Sequence, residues 1–169
     1  MTKPFLATAL CSALGLIGIS GVALADTIER YECTAIVAAR EPIGDRNDHD
    51  IVSFQYTCRG VDGLLKEALV TAVSVSEWDG QKGTYLASLD LHHAPDGFAV
   101  GQVLEGTGST VMEDGKAVGV DASGKTVFKF ASGTLAALSG KIVKFTTKPA
   151  GFGRFELEFT DWREASQLK

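Results

Sequence analysis

The residues best suited to chemistry are a carboxylate and an imidazole two positions apart, Asp90 and His92, in the segment LDLHHA. Residues i and i+2 of a β-strand point to the same face, so the two side chains can pair, with the carboxylate orienting the ring. Such a pair can move a proton or hold the polar group of a ligand. His93 points to the opposite face, which separates the two histidines as metal ligands. The interpretation we favour is an ordinary polar pair on the solvent face of the strand.

No nucleophile motif accompanies this pair. Ser109 lies in GTGST, which lacks both the GxSxG pattern of a nucleophile elbow and the lysine of a phosphate-binding loop. The glycines of GTGST are interpreted as turn residues. If the protein is an enzyme, Glu105 and Arg154 are further charged residues whose side chains could point into its cavity. We assign no catalytic residue.

The most acidic short stretch is the predicted loop 41–50, which contains Asp45, Asp48, His49 and Asp50. Carboxylate oxygens suit a hard cation, but the stretch lacks the turn glycine and the closing glutamate of a calcium loop. A solvated loop is therefore the prediction. We predict no metal and no cofactor.

Residues 1–25 have the pattern of a signal peptide. Lys3 is their only charged residue, positions 5–22 are apolar, and Ala23-Leu24-Ala25 offers small residues at the two positions that a signal peptidase requires. A transmembrane anchor is the alternative, but glycines and serines interrupt the apolar run. We expect cleavage after Ala25, export to the periplasm or beyond the cell, and no stable membrane insertion afterwards.

Residues 26–169 are then predicted to form a single domain, because no linker-like or low-complexity stretch divides them. The whole chain has a formal net charge of −5, which argues against nucleic acid and anionic membrane surfaces as partners. Only 22% of its residues are charged and 19 are glycine, a balance that favours a turn-rich β protein over a helical one.

Two cysteines remain after cleavage, Cys33 and Cys58. An exported protein with one cysteine pair is expected to form a disulfide, and the spacing is not that of a redox or metal-binding CxxC. The alternation of residues along two predicted strands supports the pairing. If these strands are antiparallel with the cysteines opposite each other, the residues between the strands form a connecting loop. The residues expected on the inward phases of the two strands are Tyr31, Cys33, Ala35 and Val37, and Val52, Phe54, Tyr56 and Cys58.

The stretch 125–162 carries the clearest strand pattern, with apolar residues at alternate positions between glycine-containing turns. A hairpin turning about Ala150 would set Phe145 opposite Phe155, with Val143 facing Leu157 and Lys144 facing Glu156. Earlier turns are predicted at Asp79-Gly80, Asp96-Gly97, Asp114-Gly115 and Ser123-Gly124. This pattern predicts an all-β fold, an antiparallel meander that is closed as a barrel or folded as a sandwich.

The segment FASGTLAALSGK resembles the glycine-rich strand connection of the allene oxide cyclase-like barrels, which include the plant dirigent proteins. The positions that carry the resemblance are Phe130, Gly133, Thr134, Ala137, Ser139 and Gly140. It covers about the last third of the chain. The resemblance implies an eight-stranded antiparallel barrel with an apolar cavity and frequent oligomers, and it transfers no catalytic residue. The fold class that we predict is therefore all-β, an antiparallel meander closed as a roughly eight-stranded barrel.

A barrel of about eight strands leaves an interior that is either filled or holds one small ligand. We therefore predict non-catalytic binding of a small apolar molecule, with Asp90, His92, Tyr56 and Tyr85 as candidate ligand contacts. The alternatives are a cyclase- or isomerase-like enzyme with a buried ionisable group at the cavity floor, or an envelope interaction protein with an exposed apolar patch. A homo-oligomer is compatible with each. The aromatic residues expected to point inward are Phe54, Tyr56, Tyr85, Phe128, Phe130, Phe145 and Phe155.

Overall fold

A computed structural model describes residues 27–161. The signal-peptide prediction concerns residues outside this range. Eight antiparallel strands follow one another around a closed barrel, and β8 completes the ring by pairing with β1. The predicted fold class is confirmed. The strands are β1 (Thr27–Pro42), β2 (His49–Gly63), β3 (Leu69–Asp79), β4 (Lys82–Ala94), β5 (Gly97–Glu113), β6 (Lys116–Gly133), β7 (Ile142–Pro149) and β8 (Arg154–Asp161).

Because the strands form a simple meander, their connections alternate between the two ends of the barrel. The connections 43–48, 80–81, 114–115 and 150–153 lie at one end, which we call the mouth. The connections 64–68, 95–96 and 134–141 lie at the other, which we call the closed end. Three leucines are buried there, Leu65, Leu135 and Leu138, the last in a 3-10 turn spanning Ala136–Leu138. Their burial plugs the barrel on this side.

The cysteine prediction is confirmed. Cys33 lies opposite Cys58 in the β1–β2 register, and their sulfurs are bonded at 2.02 Å. Both residues are buried in the core. The β1–β2 loop is shorter than expected, 43–48 instead of 41–50, because the strand pairing extends to Pro42 and Asp50. The bridge therefore joins two neighbouring strands well inside the barrel wall.

The solvent-face interpretation of Asp90 and His92 is wrong, since both side chains point into the barrel and are buried. The cause is a β-bulge. Ala87 pairs with Val75 while Tyr85 pairs with Ser76, so Leu86 has no partner and the alternation shifts by one residue. Beyond the bulge the polar residues of β4 face the interior. The apolar residues that alternate in sequence with them, starting from Tyr85, face solvent there.

Two further bulges reset the phase of other strands. Ile36 is unpaired in β1, which leaves Val37 exposed instead of inward. Lys129 is unpaired in β6, between Phe128, which is fully buried, and Phe130, which is 69% exposed. The prediction that the Phe130 side chain points into the barrel is therefore wrong. The other expected inward aromatics do point into the barrel.

The turns predicted at GTGST and Ser123-Gly124 are also wrong, because both segments continue through long strands that pair with each other. Gly106 lies opposite Gly124 in the β5–β6 register. A Cβ on either residue would come within 3 Å of the Phe145 ring. These two glycines leave room for an inward aromatic ring.

The last hairpin has the predicted phase but a different register. Phe145 pairs with Phe159 and Pro149 with Phe155, so the four-residue connection 150–153 replaces a tight turn about Ala150. Lys144 accordingly lies opposite Thr160 and not Glu156. Gly151 and Gly153 adopt positive φ in this connection, at 114° and 65°. The resulting turn is longer than the one that strand alternation in the sequence indicates.

Candidate functional site

A cavity of about 360 Å³ occupies the mouth half of the barrel interior. Its walls are mostly aromatic and aliphatic. Tyr56 packs edge-on against Phe155 at 5.1 Å between ring centroids, and Tyr85 packs edge-on against Phe145 at 5.7 Å. The aromatic side chains that line it are those of Phe54, Tyr56, Trp78, Tyr85, Phe145, Phe155 and Phe159. The interior is therefore partly open, where an ordinary core would be filled.

Glycines opposite large side chains help to shape this space. A Cβ on Gly83 would lie 2.4 Å from the Trp78 indole, so only glycine allows that ring to lie against the β4 backbone. Gly108 also lines the cavity, and its missing side chain leaves the wall of β5 flat there. Without such glycines, eight strands of this length would bring enough side-chain volume inside to fill the barrel.

One wall of the cavity is polar. Ser74 and Ser76 of β3 and Ser88 and Asp90 of β4 line it, and all four are buried. Ser76 Oγ accepts a hydrogen bond from the Trp78 indole N–H at 2.9 Å. The remaining hydroxyls of this wall are available to a bound molecule. A largely apolar cavity with a few placed polar groups is typical of small-molecule sites.

Asp90 forms the floor of the cavity. It is the last cavity-lining residue of β4 toward the closed end, and it is 4% exposed. Its partner across the β4–β5 ladder is Gly101, where a Cβ would lie 2.1 Å from Asp90 Oδ2. The glycine therefore provides the space in which the carboxylate lies over the neighbouring strand.

A buried hydrogen-bonded chain runs from Asp90 toward the closed end. His92 Nε2 lies 2.5 Å from Asp90 Oδ2, and His92 Nδ1 lies 2.9 Å from the Tyr31 hydroxyl. His92 and Tyr31 are fully buried, and His92 contacts the rings of Phe128 and Phe159. The predicted Asp90–His92 pair thus exists inside the barrel, with Asp90 at the cavity surface and His92 behind it.

The tyrosines of the interior remain protonated phenols at neutral pH. Burial, and then the charges of Glu29 and Asp90, raise the pKa of Tyr31 far above its usual value. Burial likewise raises the pKa of Tyr56 and that of Tyr85. Tyr56 and Tyr85 both line the cavity, as predicted for ligand contacts, and can present hydroxyl groups to a bound molecule.

A second buried carboxylate lies at the closed end. Glu29 is fully buried, one of its oxygens accepts the backbone N–H of Leu65, and Oε1 has no hydrogen-bond partner in the described range. Burial is the main cause that raises the pKa of Glu29 to about 7, and the charge of Asp62 adds to it. Glu29 does not line the cavity, so it belongs to the plug.

The acidic loop forms a polar cluster at the mouth. His49 Nδ1 lies 2.5 Å from Asp45, and its Nε2 lies 2.7 Å from Glu77. Hydrogen bonds to these two carboxylates raise the pKa of His49. In the part of the chain that the structure describes, no three His, Cys, Asp or Glu side chains are arranged to hold a metal ion.

The two other charged candidates do not meet. Glu105 is exposed and pairs with Lys125 at 2.7 Å on the outside of the barrel. Arg154 lies at the rim of the cavity, also exposed. The sequence did not single out Tyr31 or the three serines as functional. Tyr31 lay on the expected inward phase of β1, and the bulge at Leu86 obscured the inward position of Ser88 in β4.

Comparisons with known proteins do not extend this picture. No family model, no curated protein and no solved structure matches the chain. Between residues 27 and 161, no helix has the length and apolar character needed to cross a membrane.

Proposed function

We propose that this protein binds a small, largely apolar molecule inside the barrel and does not transform it. The observation that supports this most is the open cavity of about 360 Å³ with mainly aromatic walls. This volume lies within the range of about 300–1,000 Å³ common for small-molecule sites. A barrel whose role were only structural would gain stability by filling this space.

The energetics are sufficient for useful affinity. Burying about 200 Å² of apolar ligand surface contributes roughly 5 kcal/mol at 25 cal/mol per Å², before the entropic cost of association is subtracted. Aromatic walls add edge-to-face contacts for a ring-containing ligand. The rings that form the walls already pack against one another, so little side-chain ordering is required on binding.

Export completes the proposal. The disulfide between Cys33 and Cys58 is compatible with an oxidising compartment, such as the periplasm or the extracellular space. We infer that residues 1–25 direct the chain there. An apolar molecule has low solubility in water, and a soluble barrel could carry or sequester it between membranes.

Fluorescence of N-phenyl-1-naphthylamine, a neutral dye that brightens in apolar surroundings, tests the proposal. Saturable binding to the wild type is expected. Ser74→Leu places a larger apolar side chain in the cavity. It is expected to weaken binding of the dye at least about tenfold, because the leucine occupies space that the dye needs. Ser53→Leu, the same change on an exposed position of β2, should leave binding unchanged. Equal binding by all three proteins would place the dye on the outer wall and contradict the proposal.

An isomerase- or cyclase-like activity is the second candidate. The chain from Asp90 through His92 to Tyr31 favours it, because a histidine-held carboxylate at a cavity surface can accept a proton. The resemblance to the allene oxide cyclase-like barrels agrees with this candidate. A simple test is deuterium exchange into the acetyl group of 1-acetonaphthone in D₂O, followed by NMR. Exchange at the buffer rate with wild-type protein would argue against proton abstraction by Asp90.

An interaction protein or homo-oligomer is the third candidate. Exposed apolar side chains adjoin across the outer wall of β3 to β6, where Val73 pairs with Leu89 and the half-buried Val100 pairs with the exposed Phe130. Leu91, next to Val100, extends this patch. Light scattering of the purified protein distinguishes the outcomes, because self-association through this wall would give a mass above that of one chain.

A further inference from the structure

We propose that the ligand of this cavity is an apolar molecule with one hydrogen-bond-donating head group, an alcohol or an amine, that binds Asp90 at the cavity floor. This inference rests on the proposed binding function and adds the chemical class of the ligand. It is carried by the position of Asp90, whose carboxylate lies at the inner end of the cavity, whereas Arg154 lies at the exposed rim.

The first step is the orientation of the hydrogen bonds around Asp90. Tyr31 is a protonated phenol whose hydroxyl lies 2.9 Å from His92 Nδ1, and we assign it as the donor in that bond. His92 then carries its proton on Nε2 and donates to Asp90 Oδ2. This series of hydrogen bonds thus ends on the carboxylate of Asp90, which accepts hydrogen bonds and does not donate them.

The second step concerns the other carboxylate oxygen. Asp90 Oδ1 receives no hydrogen bond from residues 27–161, and Asp90 lines the cavity. In the empty site water can solvate this oxygen. A ligand that fills the cavity displaces that water, so a ligand without a donor leaves the oxygen unpaired at a substantial cost.

The third step is the charge of the lining. Among residues 27–161, only two charged side chains line the cavity, Asp90 at the floor and Arg154 at the exposed rim. The inner part of the site therefore carries a carboxylate and no arginine or lysine. An anionic head group, such as that of a fatty acid, would lie near a like charge in a poorly solvated space. The serine hydroxyls can donate or accept, so they do not alter this preference.

Three naphthalenes of nearly equal size test the inference by displacement of N-phenyl-1-naphthylamine at pH 8. They are 1-naphthylmethanol, 1-ethylnaphthalene and 1-naphthoate. We expect the alcohol to bind about 10- to 100-fold more tightly than the ethyl compound, as a hydrogen bond to a charged group allows. The carboxylate should bind most weakly of the three.

Asp90→Asn provides the sharper comparison. Its amide oxygen can still accept from His92 while its NH₂ group faces the cavity, so the floor changes from acceptor to donor. The preference for the alcohol over the ethyl compound should fall at least about tenfold, and 1-naphthoate should gain affinity. Asp121→Asn, the same change on an exposed residue of β6, is the matched control and should keep the wild-type order.

The outcomes separate the two proposals. If the dye and the ethyl compound bind but the alcohol has no advantage in the wild type, the head-group inference is overturned and the binding function stands. Tighter binding of 1-naphthoate than of the alcohol overturns it equally, even if Asp90→Asn does not fold. If neither the dye nor any naphthalene binds, both proposals fail.

Discussion

Two buried carboxylates of this barrel, Asp90 and Glu29, differ in their hydrogen bonding. Asp90 accepts a hydrogen bond from His92 and faces the cavity, whereas Glu29 lies in the plug and has one oxygen without a hydrogen-bond partner among residues 27–161. A carboxylate without full hydrogen bonding in a buried position is costly in its charged form. The consequence is a free energy of unfolding that depends on pH.

Glu29 is expected to make the protein less stable as pH rises from about 4.5 to about 7. The folded pKa of about 7 lies above the unfolded value of 4.5, so the folded state binds more protons in this window. The stabilising contribution is therefore fully present below pH 4.5 and is lost as pH rises through 7. At about 1.4 kcal/mol per pKa unit, the loss is at most about 3.5 kcal/mol.

Urea unfolding at several pH values measures this effect. Glu29→Gln should have a flatter profile than the wild type, and the difference between the two profiles isolates Glu29 from other titrating groups such as His49. Glu32→Gln, an exposed position on the same strand, should retain the wild-type slope. Identical slopes for wild type and Glu29→Gln would mean that Glu29 is solvated in the folded protein.

At the scale of single elements, β-bulges decide which side of a strand faces the core. Three unpaired residues, Ile36, Leu86 and Lys129, each shift the alternation of their strand by one position. In β4 the shift makes the leucines face solvent and brings the side chains of Asp90 and His92 into the barrel. The candidate site therefore depends on a local irregularity of one strand.

The bulge at Lys129 predicts unequal effects of the same substitution two residues apart. Phe128→Ala should destabilise by about 3–5 kcal/mol, because the ring is fully buried against His92 and Phe159. Phe130→Ala should cost less than about 1 kcal/mol, since its ring is mostly exposed. Chemical denaturation of both variants provides the comparison. Similar losses would indicate regular alternation through β6 and no bulge.

At the scale of the whole molecule, closure of the sheet determines the environment of the site. β8 pairs with β1 from Thr27 to Thr34, so no strand edge remains open in this region. Tyr31 on β1 reaches His92 on β4 across the interior, a contact between strands that are not neighbours. Only a closed barrel brings these two residues together.

Export also concerns the whole molecule. We expect the protein isolated from the envelope of its own host, or from the culture medium, to begin at Asp26, because Ala23-Leu24-Ala25 matches the preference of a signal peptidase. Intact-mass spectrometry measures the mature N-terminus, and the cytoplasmic precursor is the control. Recovery of exported protein that still carries Met1 would contradict the prediction.

Local sequence determined the strands, most of their turns and the pairing of Cys33 with Cys58. These features depend on alternation and on turn residues such as Asp79-Gly80, which act over a few positions. The antiparallel all-β class followed from their alternation and turn spacing, and the resemblance to a barrel family added the number of strands. The inward phases of β7, of β8 and of residues 52–58 in β2 were also predictable, because strand pairing is uninterrupted there.

The tertiary structure decided the faces of β4 and the centre of β6, the register of the last hairpin and the existence of a cavity. A bulge forms where packing across the closed ring outweighs regular pairing, and no pattern within a single strand records that balance. The sequence thus identified Asp90 and His92 as a pair. Whether they face solvent or the interior depended on Leu86, whose lack of a partner is a property of the β3–β4 register.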